Sequence, residues 1–240
     1  MPNSQDEFEY TDEVLTIFEK FLSPERLAAY YALARGDKWV AIHLYERNTE
    51  ISEALYGVLQ GLEVALRNAI HNVLTKGLGA PDWYDKIHLQ NSELEALRQA
   101  RSKIAERMVE ETPGRIVAEL TFAFWVRLLA WPYEKSLWVP HLRRIFPMRF
   151  TNPSVIHGRL VELKTLRNRI AHHERILGRD LEKDYAALLE TIGWVSPDVR
   201  EWVRETNCFE ERFAKRIPKK PKPQLPEAEE AISAEPSDGA

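Results

Sequence analysis

Apolar residues recur at intervals of three and four along nearly the whole chain, which is the spacing of helices that bury one face. The pattern is strongest over residues 39–76, where it predicts one long helix that a break near Asn48 and Thr49 could divide. The chain has no run of alternating apolar and polar residues between hairpin turns, so we expect an all-α fold.

Capping residues and prolines at first helical positions mark where the predicted helices begin. Ser23 followed by Pro24 is one such start, and Gly36 and Gly178 mark expected ends. On these signals the sequence predicts helices at about 24–36, 91–111 and 113–129, a short helix ending near 146, and helices at 153–173, 181–192 and 197–216.

The chain of 240 residues is expected to form one helical domain at 13–217, between a flexible N-terminus at 1–12 and a disordered tail at 218–240. The tail has almost no bulky apolar side chain, so burial could not offset the entropy of ordering it. No apolar run reaches the roughly 18 residues of a membrane span. The first twenty residues are acidic, unlike a targeting sequence, so we expect a cytoplasmic protein without a membrane partner.

The segment 141–179 is basic, although the whole chain carries a net charge of -4. It contains nine Lys or Arg residues, only two acidic residues and four of the seven histidines. Such a concentration of cations in an acidic protein is typical of a phosphate-binding surface. The candidates for phosphate contact, which the resemblance described below makes candidates for RNA binding, are Arg143, Arg144, Lys164, Arg169 and Arg175.

Arg167, Asn168 and His172 are the candidate catalytic residues within this segment. Imidazole titrates near neutral pH, so His172 could move the protons of a phosphoryl transfer without a metal ion, while Arg167 stabilises the extra charge on phosphorus. The two residues lie about 140° apart on a regular helix. They can still converge, because the arginine side chain is long and a helix ending near His172 would let its last turn unwind. His173 and Glu174 are supporting candidates.

A second polar group lies on the long predicted helix. Glu63, Arg67, Asn68 and His71 are spaced so that they share one face, and such a face is costly inside an apolar helix unless it is paired. The group could contact RNA or support the main motif. Alternatively, an internal ion pair between Glu63 and Arg67 could simply stabilise the helix bundle.

The remaining histidines and the aromatic residues favour ordinary structural roles. His43, His88, His141 and His157 lack the spacing of metal ligands, so neither a metal nor a cofactor is expected. A group of aromatic side chains is expected in the core rather than on a base-stacking surface. Its members are Phe122, Phe124, Trp125, Trp131 and Trp138.

Residues 160–177, LVELKTLRNRIAHHERIL, resemble the signature of HEPN domains. In that signature an Arg is followed after four to six residues by a His, and a polar residue, often Asn, stands directly after the Arg. The stretches LEVALRNAIHNVL and LTFAFWVRLL and the WY pair at 83 and 84 are similar to the Abi-like branch of abortive-infection proteins. The similarity spans about residues 15–215.

The resemblance implies a HEPN-like helical bundle with additional helices, which forms a homodimer with two copies of the motif facing each other across a cleft. It implies a metal-independent RNA endonuclease that cleaves by 2′-hydroxyl attack and acts as a toxin or effector in bacterial phage defence. Arg167 would stabilise the phosphate, His172 would act as general acid or base, and Asn168 would position them. An antitoxin protein or a small RNA is a further expected partner.

Two other functions stay open. A module of the same fold could bind RNA or another protein without cutting, with Arg167 and His172 holding a phosphate or the dimer. A helical adaptor without a nucleic-acid partner would show no salt-dependent affinity for RNA despite its basic segment.

Overall fold

The computed structural model describes residues 8–147 and 152–220. Residues 1–7, 148–151 and 221–240 lie outside this description, and with them Arg149 and most of the two expected terminal segments. Every regular element within the described ranges is helical, which confirms the all-α prediction.

Ten α-helices follow one another in the described ranges. They are α1 (Asp12–Leu22), α2 (Pro24–Leu33), α3 (Lys38–Leu78), α4 (Asn91–Glu106), α5 (Pro113–Glu119), α6 (Phe122–Arg127), α7 (Pro153–Ala171), α8 (Leu181–Val195), α9 (Pro197–Thr206) and α10 (Phe209–Ala214). Shorter helical turns lie between them, namely 3-10 turns at Trp83–Asp85, Trp131–Tyr133 and Leu142–Ile145 and a π-helical turn at Glu134–Trp138.

Helix α3 is the central element and runs for 41 residues without interruption. Asp37 caps its start by accepting a hydrogen bond from the Val40 amide at 3.0 Å. Gly79 ends it at a φ of 68°, a left-handed conformation that suits glycine. The break considered near Asn48 is absent. Asn48 is instead buried within the helix, where its side chain bonds to a neighbouring turn.

The apolar face of α3 organises two clusters of buried side chains. Around its N-terminal part, α1 and α2 form the smaller cluster, which includes Trp39 and Ile42. Along the rest of the helix, α6 to α10 pack against a face that includes Leu62 and Leu66, both fully buried. Among the described helices, none has both the length and the apolar composition needed to cross a membrane.

Two of the predicted helices are divided in the structure. The predicted helix at 113–129 is interrupted at Leu120, which is extended and whose carbonyl accepts a hydrogen bond from the Trp125 indole at 3.3 Å. The predicted helix at 197–216 is interrupted at Asn207. Its side chain donates to the Ala54 carbonyl and accepts from the Phe209 amide, both at 2.8 Å. Side-chain competition for backbone groups explains this second break.

Three further predictions are corrected by the structure. The charged helix ends at Glu106 rather than near 111, since the chain turns at Met108 with a φ of 53°. The short helix ending near 146 is a series of 3-10 and π turns. Trp131 is 80% exposed, whereas the other four aromatic residues of its group are buried as expected.

Two glycines of α3 provide a matched test of how α9 packs on it. A Cβ at Gly61 would lie 2.8 Å from the Val203 Cγ2 of α9, whereas the nearest atom to a Cβ at Gly57 is at 3.4 Å. We expect Gly61→Ala to lower the free energy of unfolding by about 1–3 kcal/mol, because α9 must shift. Gly57→Ala should raise it by up to about 1 kcal/mol through helix propensity.

Urea denaturation of the two variants measures both effects. Equal stability of the two alanine variants would contradict the close packing of α9 on α3.

Candidate active site

Helix α7 carries the candidate motif on the side that it does not bury. The Asn152 side chain caps its start by accepting a hydrogen bond from the Ser154 amide at 2.8 Å. The apolar residues from Ile156 to Ile170 that recur along α7 are buried in the main core. Arg167 is half-buried at the edge of this face, beside α3.

Helix α7 ends at Ala171 in a Schellman turn. The Glu174 amide donates to the Arg169 carbonyl at 2.8 Å, and the His173 amide donates to the Ile170 carbonyl at 3.0 Å. His173 has a φ of 56°. A side chain in this left-handed conformation costs about 1–2 kcal/mol, which is why glycine usually occupies the position. The motif therefore ends in a strained residue.

Two polar side chains hold the turn 172–176 against α2 and α3. Asn48 of α3 accepts a hydrogen bond from the Ile176 amide at 2.7 Å and donates to the Glu174 carbonyl at 3.4 Å. Arg26 of α2 donates to the His173 carbonyl at 2.9 Å. The backbone that displays the two histidines is thus fixed from outside α7.

Sequence reasoning did not find these positioning residues. Asn48 offered a signal, because it stands four residues after Leu44 and three before Ile51, on the apolar face of the long helix. A polar side chain at such a position is expected to have a buried hydrogen-bond partner. Arg26 offered none, since it lies among other surface residues of α2.

A concavity of about 330 Å³ lies between α3 and α7, and we call it the arginine concavity. It is lined by Tyr56, Leu59, Gln60, Glu63, Val64 and Arg67 of α3 and by Arg167 of α7. Arg167 Nε lies 3.7 Å from Glu63 Oε2, an ion pair longer than a hydrogen bond. Arg67 Nε is buried and has no acceptor within the described residues.

The Glu63 to Arg67 ion pair does not occur among the described residues, since Glu63 contacts Arg167 instead. Asn68, on the same helix, is exposed. The second polar group therefore separates into two residues of the arginine concavity, Glu63 and Arg67, and two residues outside it.

His71 contacts the buried indole of Trp83. Trp83 Nε1 lies 3.0 Å from His71 Nδ1, and because an indole N–H can only donate, this ring nitrogen must be the acceptor. His71 is therefore a neutral imidazole, with its proton on Nε2. Burial also lowers the pKa of His71. These contacts give it a structural role.

Eight of the nine basic residues of segment 141–179 lie in the described ranges, and four of these eight have acidic partners. The pairs are Arg159–Glu190 at 2.9 Å, Arg167–Glu63 at 3.7 Å, Arg169–Glu174 at 3.8 Å and Arg179–Asp184 at 2.6 Å. Three of these acids lie outside the segment, so a local charge count overestimates its positive potential. In the described ranges, Arg143, Arg144, Lys164 and Arg175 have no such partner.

The structure does not bring the candidate histidines to the arginine concavity within one chain. Asn168, His172 and His173 are exposed, and none of them lines that concavity. Arg167, which does line it, points to α3 through its contact with Glu63. One chain thus presents two separate parts, a pair of arginines and a pair of exposed histidines.

Within the described part of the chain, no three His, Cys, Asp or Glu side chains are grouped so that they could hold a metal ion. No protein-family model matches the sequence, and no curated protein or solved structure is significantly similar to the chain. The HEPN resemblance therefore remains a prediction from the sequence.

Adjacent residues of the Schellman turn make a matched pair of variants. We expect His173→Gly to raise the free energy of unfolding by about 1 kcal/mol, because glycine relieves the positive φ. His172→Gly should lower it by about 0.5–1 kcal/mol, since His172 has an ordinary φ of -94°. Urea denaturation checks both, and a less stable His173→Gly variant would show that the imidazole contributes more than the strain costs.

The neutral state of His71 predicts a pH dependence of stability. Its pKa in the folded chain lies below the ordinary 6.5, so the unfolded chain binds more protons as the pH falls past that value. The contribution of neutral His71 to the free energy of unfolding is therefore fully present above pH 6.5 and is lost progressively below it. Burial and the nearby Lys164 also lower the pKa of His157, so protonation of His157 destabilises the folded chain in the same direction.

Chemical denaturation across this pH range should show a smaller acid loss in His71→Gln than in the parent chain. His157→Gln, measured in parallel, shows how much of the acid loss of stability comes from His157 rather than from His71. An unchanged pH profile in both variants would contradict the prediction.

Proposed function

We propose that the chain is a metal-independent RNA endonuclease whose arginine concavity binds the phosphate that is cleaved. The observation that supports this most is the meeting of Arg67 and Arg167, from two different helices, in one concavity. Both guanidinium groups line this concavity, and an oxyanion bound there would accept hydrogen bonds from them.

The charge of the arginine concavity suits a phosphodiester. Two guanidinium groups and the Glu63 carboxylate leave a net charge of one positive unit, which matches the single negative charge of an RNA linkage. Glu63 is too far from Arg167 Nε for a hydrogen bond, so it attracts that side chain while leaving its donors available. Guanidinium donors bind phosphate oxygens in a fork geometry. Arg143, Arg144, Lys164 and Arg175 would contact flanking phosphates.

The proposed reaction is a transesterification in which the 2′-oxygen–phosphorus bond forms, the bond from phosphorus to the 5′-oxygen breaks, and the 3′ fragment leaves. A base removes the proton of the ribose 2′-hydroxyl, the oxygen attacks phosphorus, and an acid protonates the departing 5′-oxygen. The products are a 2′,3′-cyclic phosphate and a free 5′-hydroxyl. His172 and His173 are the groups proposed for these proton transfers, in either order, and Asn168 would position them.

The proposal includes a homodimer, because a single chain keeps its histidines away from its arginine concavity. Two copies facing each other across their α7 ends would bring the histidines of one chain to the phosphate held by the other. The Abi-like resemblance supports this arrangement and the role of toxin or effector in phage defence. It also supports restraint by an antitoxin protein or a small RNA.

A second candidate function is RNA binding without cleavage. The separation of His172 from Arg167 within one chain favours it, because a binding module needs the arginines but not the histidines. Phosphate recognition is common to both functions, and the chemistry of the RNA ends distinguishes them.

With EDTA present, the purified chain is expected to cut single-stranded RNA and leave 2′,3′-cyclic phosphate ends. Arg167→Ala and His172→Ala should each slow cleavage by about a hundredfold or more, through lost charge stabilisation and lost proton transfer. His88→Ala is the matched control, since His88 is an exposed histidine that belongs to neither α7 nor the lining of the arginine concavity.

Cleavage that requires an added metal, or that survives His172→Ala, would overturn the mechanism. RNA that is bound through Arg167 but recovered intact would establish the binding module instead. Sedimentation of the same samples tests the homodimer.

A further inference from the structure

Tyr56 and Gln60 extend the arginine concavity along α3. With Glu63 and Arg67 they stand at intervals of four, three and four residues, which places all four on one side of the helix. Tyr56 precedes Glu63 by seven residues, or about 10 Å along the helix axis. Along this row an aromatic ring is followed by an amide and then by charged groups.

The Tyr56 side chain is exposed, unlike the apolar side chains beside it on α3. It is 52% exposed, although Leu55 and Val58 beside it are fully buried. Its ring stacks on no other aromatic ring, and its hydroxyl makes no hydrogen bond, within the residues that the structure describes. The tyrosine therefore contributes little to the packing of the helix bundle, and its flat face is available to a ligand.

The side-chain amide of Gln60 is also free to bond a ligand. Gln60 is exposed, and its side chain makes no hydrogen bond in the described part of the chain. An amide offers both donors and an acceptor, so it can pair with the edge of a nucleobase. It stands between the ring of Tyr56 and the charged groups that would hold a phosphate.

The ligand that matches this row has a flat apolar ring, a polar ring edge and a phosphate next to it. A nucleotide of single-stranded RNA has all three, and its unpaired base can leave its neighbours to stack on an aromatic side chain. A base within a duplex has both faces covered and cannot do so. A protein partner would satisfy Tyr56 but would leave the arginine donors without a phosphate.

We propose that Tyr56 and Gln60 form a nucleobase subsite beside the arginine concavity, in which the Tyr56 ring stacks on a base of single-stranded RNA and Gln60 bonds its edge. This subsite rests on the proposed function, because the adjoining phosphate is the one that the arginines hold. It makes Tyr56 a determinant of affinity and Gln60 a determinant of base preference.

The test measures binding apart from cleavage. Fluorescence anisotropy with EDTA compares a short labelled 2′-O-methyl oligoadenylate, which has no 2′-hydroxyl to attack, with an oligonucleotide of the same length whose sugars lack bases. The intact chain should bind the oligoadenylate about tenfold more tightly than the abasic strand. Tyr56→Ala should abolish this difference, and Tyr56→Phe should keep it because the ring is retained.

Two further variants sharpen the test. Trp131→Ala removes another exposed aromatic residue, one that does not line the arginine concavity, and should bind like the parent chain. Gln60→Leu should keep the affinity for oligoadenylate within a fewfold but reduce its discrimination against 2′-O-methyl oligouridylate.

The outcomes separate this proposal from the proposed function. Binding that does not depend on the bases or on Tyr56, with unmodified RNA still cut, overturns the subsite alone. Base-dependent binding through Tyr56, without cleavage of unmodified RNA, supports the subsite and overturns the endonuclease. No binding of either strand overturns both. If Tyr56→Ala instead turns a dimer into a monomer by sedimentation, the face is an interface between copies and the subsite is wrong.

Discussion

Burial of the apolar face of α3 is the interaction on which the rest of the structure depends. Leu55, Leu62 and Leu66 are fully buried along it. The helix is far longer than most helices of globular proteins, and tertiary packing rather than helix propensity stabilises such elements. Because α1, α2 and α6 to α10 all contact α3, both clusters of buried side chains need it in place. The other helices are positioned through it.

The polar residues of α3 can each contact a different part of the structure, because the buried apolar face already stabilises the helix. Asn48 bonds the turn after α7, Glu63 attracts Arg167, and His71 accepts the Trp83 indole proton. None of these side chains has to stabilise the helix itself. The candidate site is therefore built on a rigid element, with the arginine concavity along one part of it and the anchor of the histidine turn along another.

Features set by local physics could be predicted from the sequence. The capping start at Ser23, the long apolar periodicity of α3 and the end of α7 just before His172 each depend on residues within a few positions of one another. Helix ends that depend on distant partners were mispredicted. Asn207 ends a helix because its side chain reaches the Ala54 carbonyl of α3, and no local pattern contains that information.

The candidate active site likewise combines features that local sequence predicts with features that depend on distant partners. Arg167 and His172 stand out in the sequence, but only the structure shows that Arg167 contacts Glu63 on α3 while His172 does not line the arginine concavity. The positive charge of segment 141–179 was overestimated for a related reason, since Glu190 and Asp184 of α8 neutralise two of its arginines. Trp131 lies in a 3-10 turn between helices, where helical periodicity assigns no buried face, so its exposure could not be predicted from the pattern.

The unbroken course of α3 restricts how this protein can vary in length. Asn48 and Arg67 belong to one helix, so helix geometry alone sets the angle and the distance between them. A single residue inserted between the two would rotate one against the other by about 100° and advance it by about 1.5 Å. The anchored turn and the arginine concavity would then face different directions. An insertion or deletion between Asn48 and Arg67 therefore changes how these two parts of the candidate site face each other, whereas one in a connection outside α3 leaves their relative geometry unchanged.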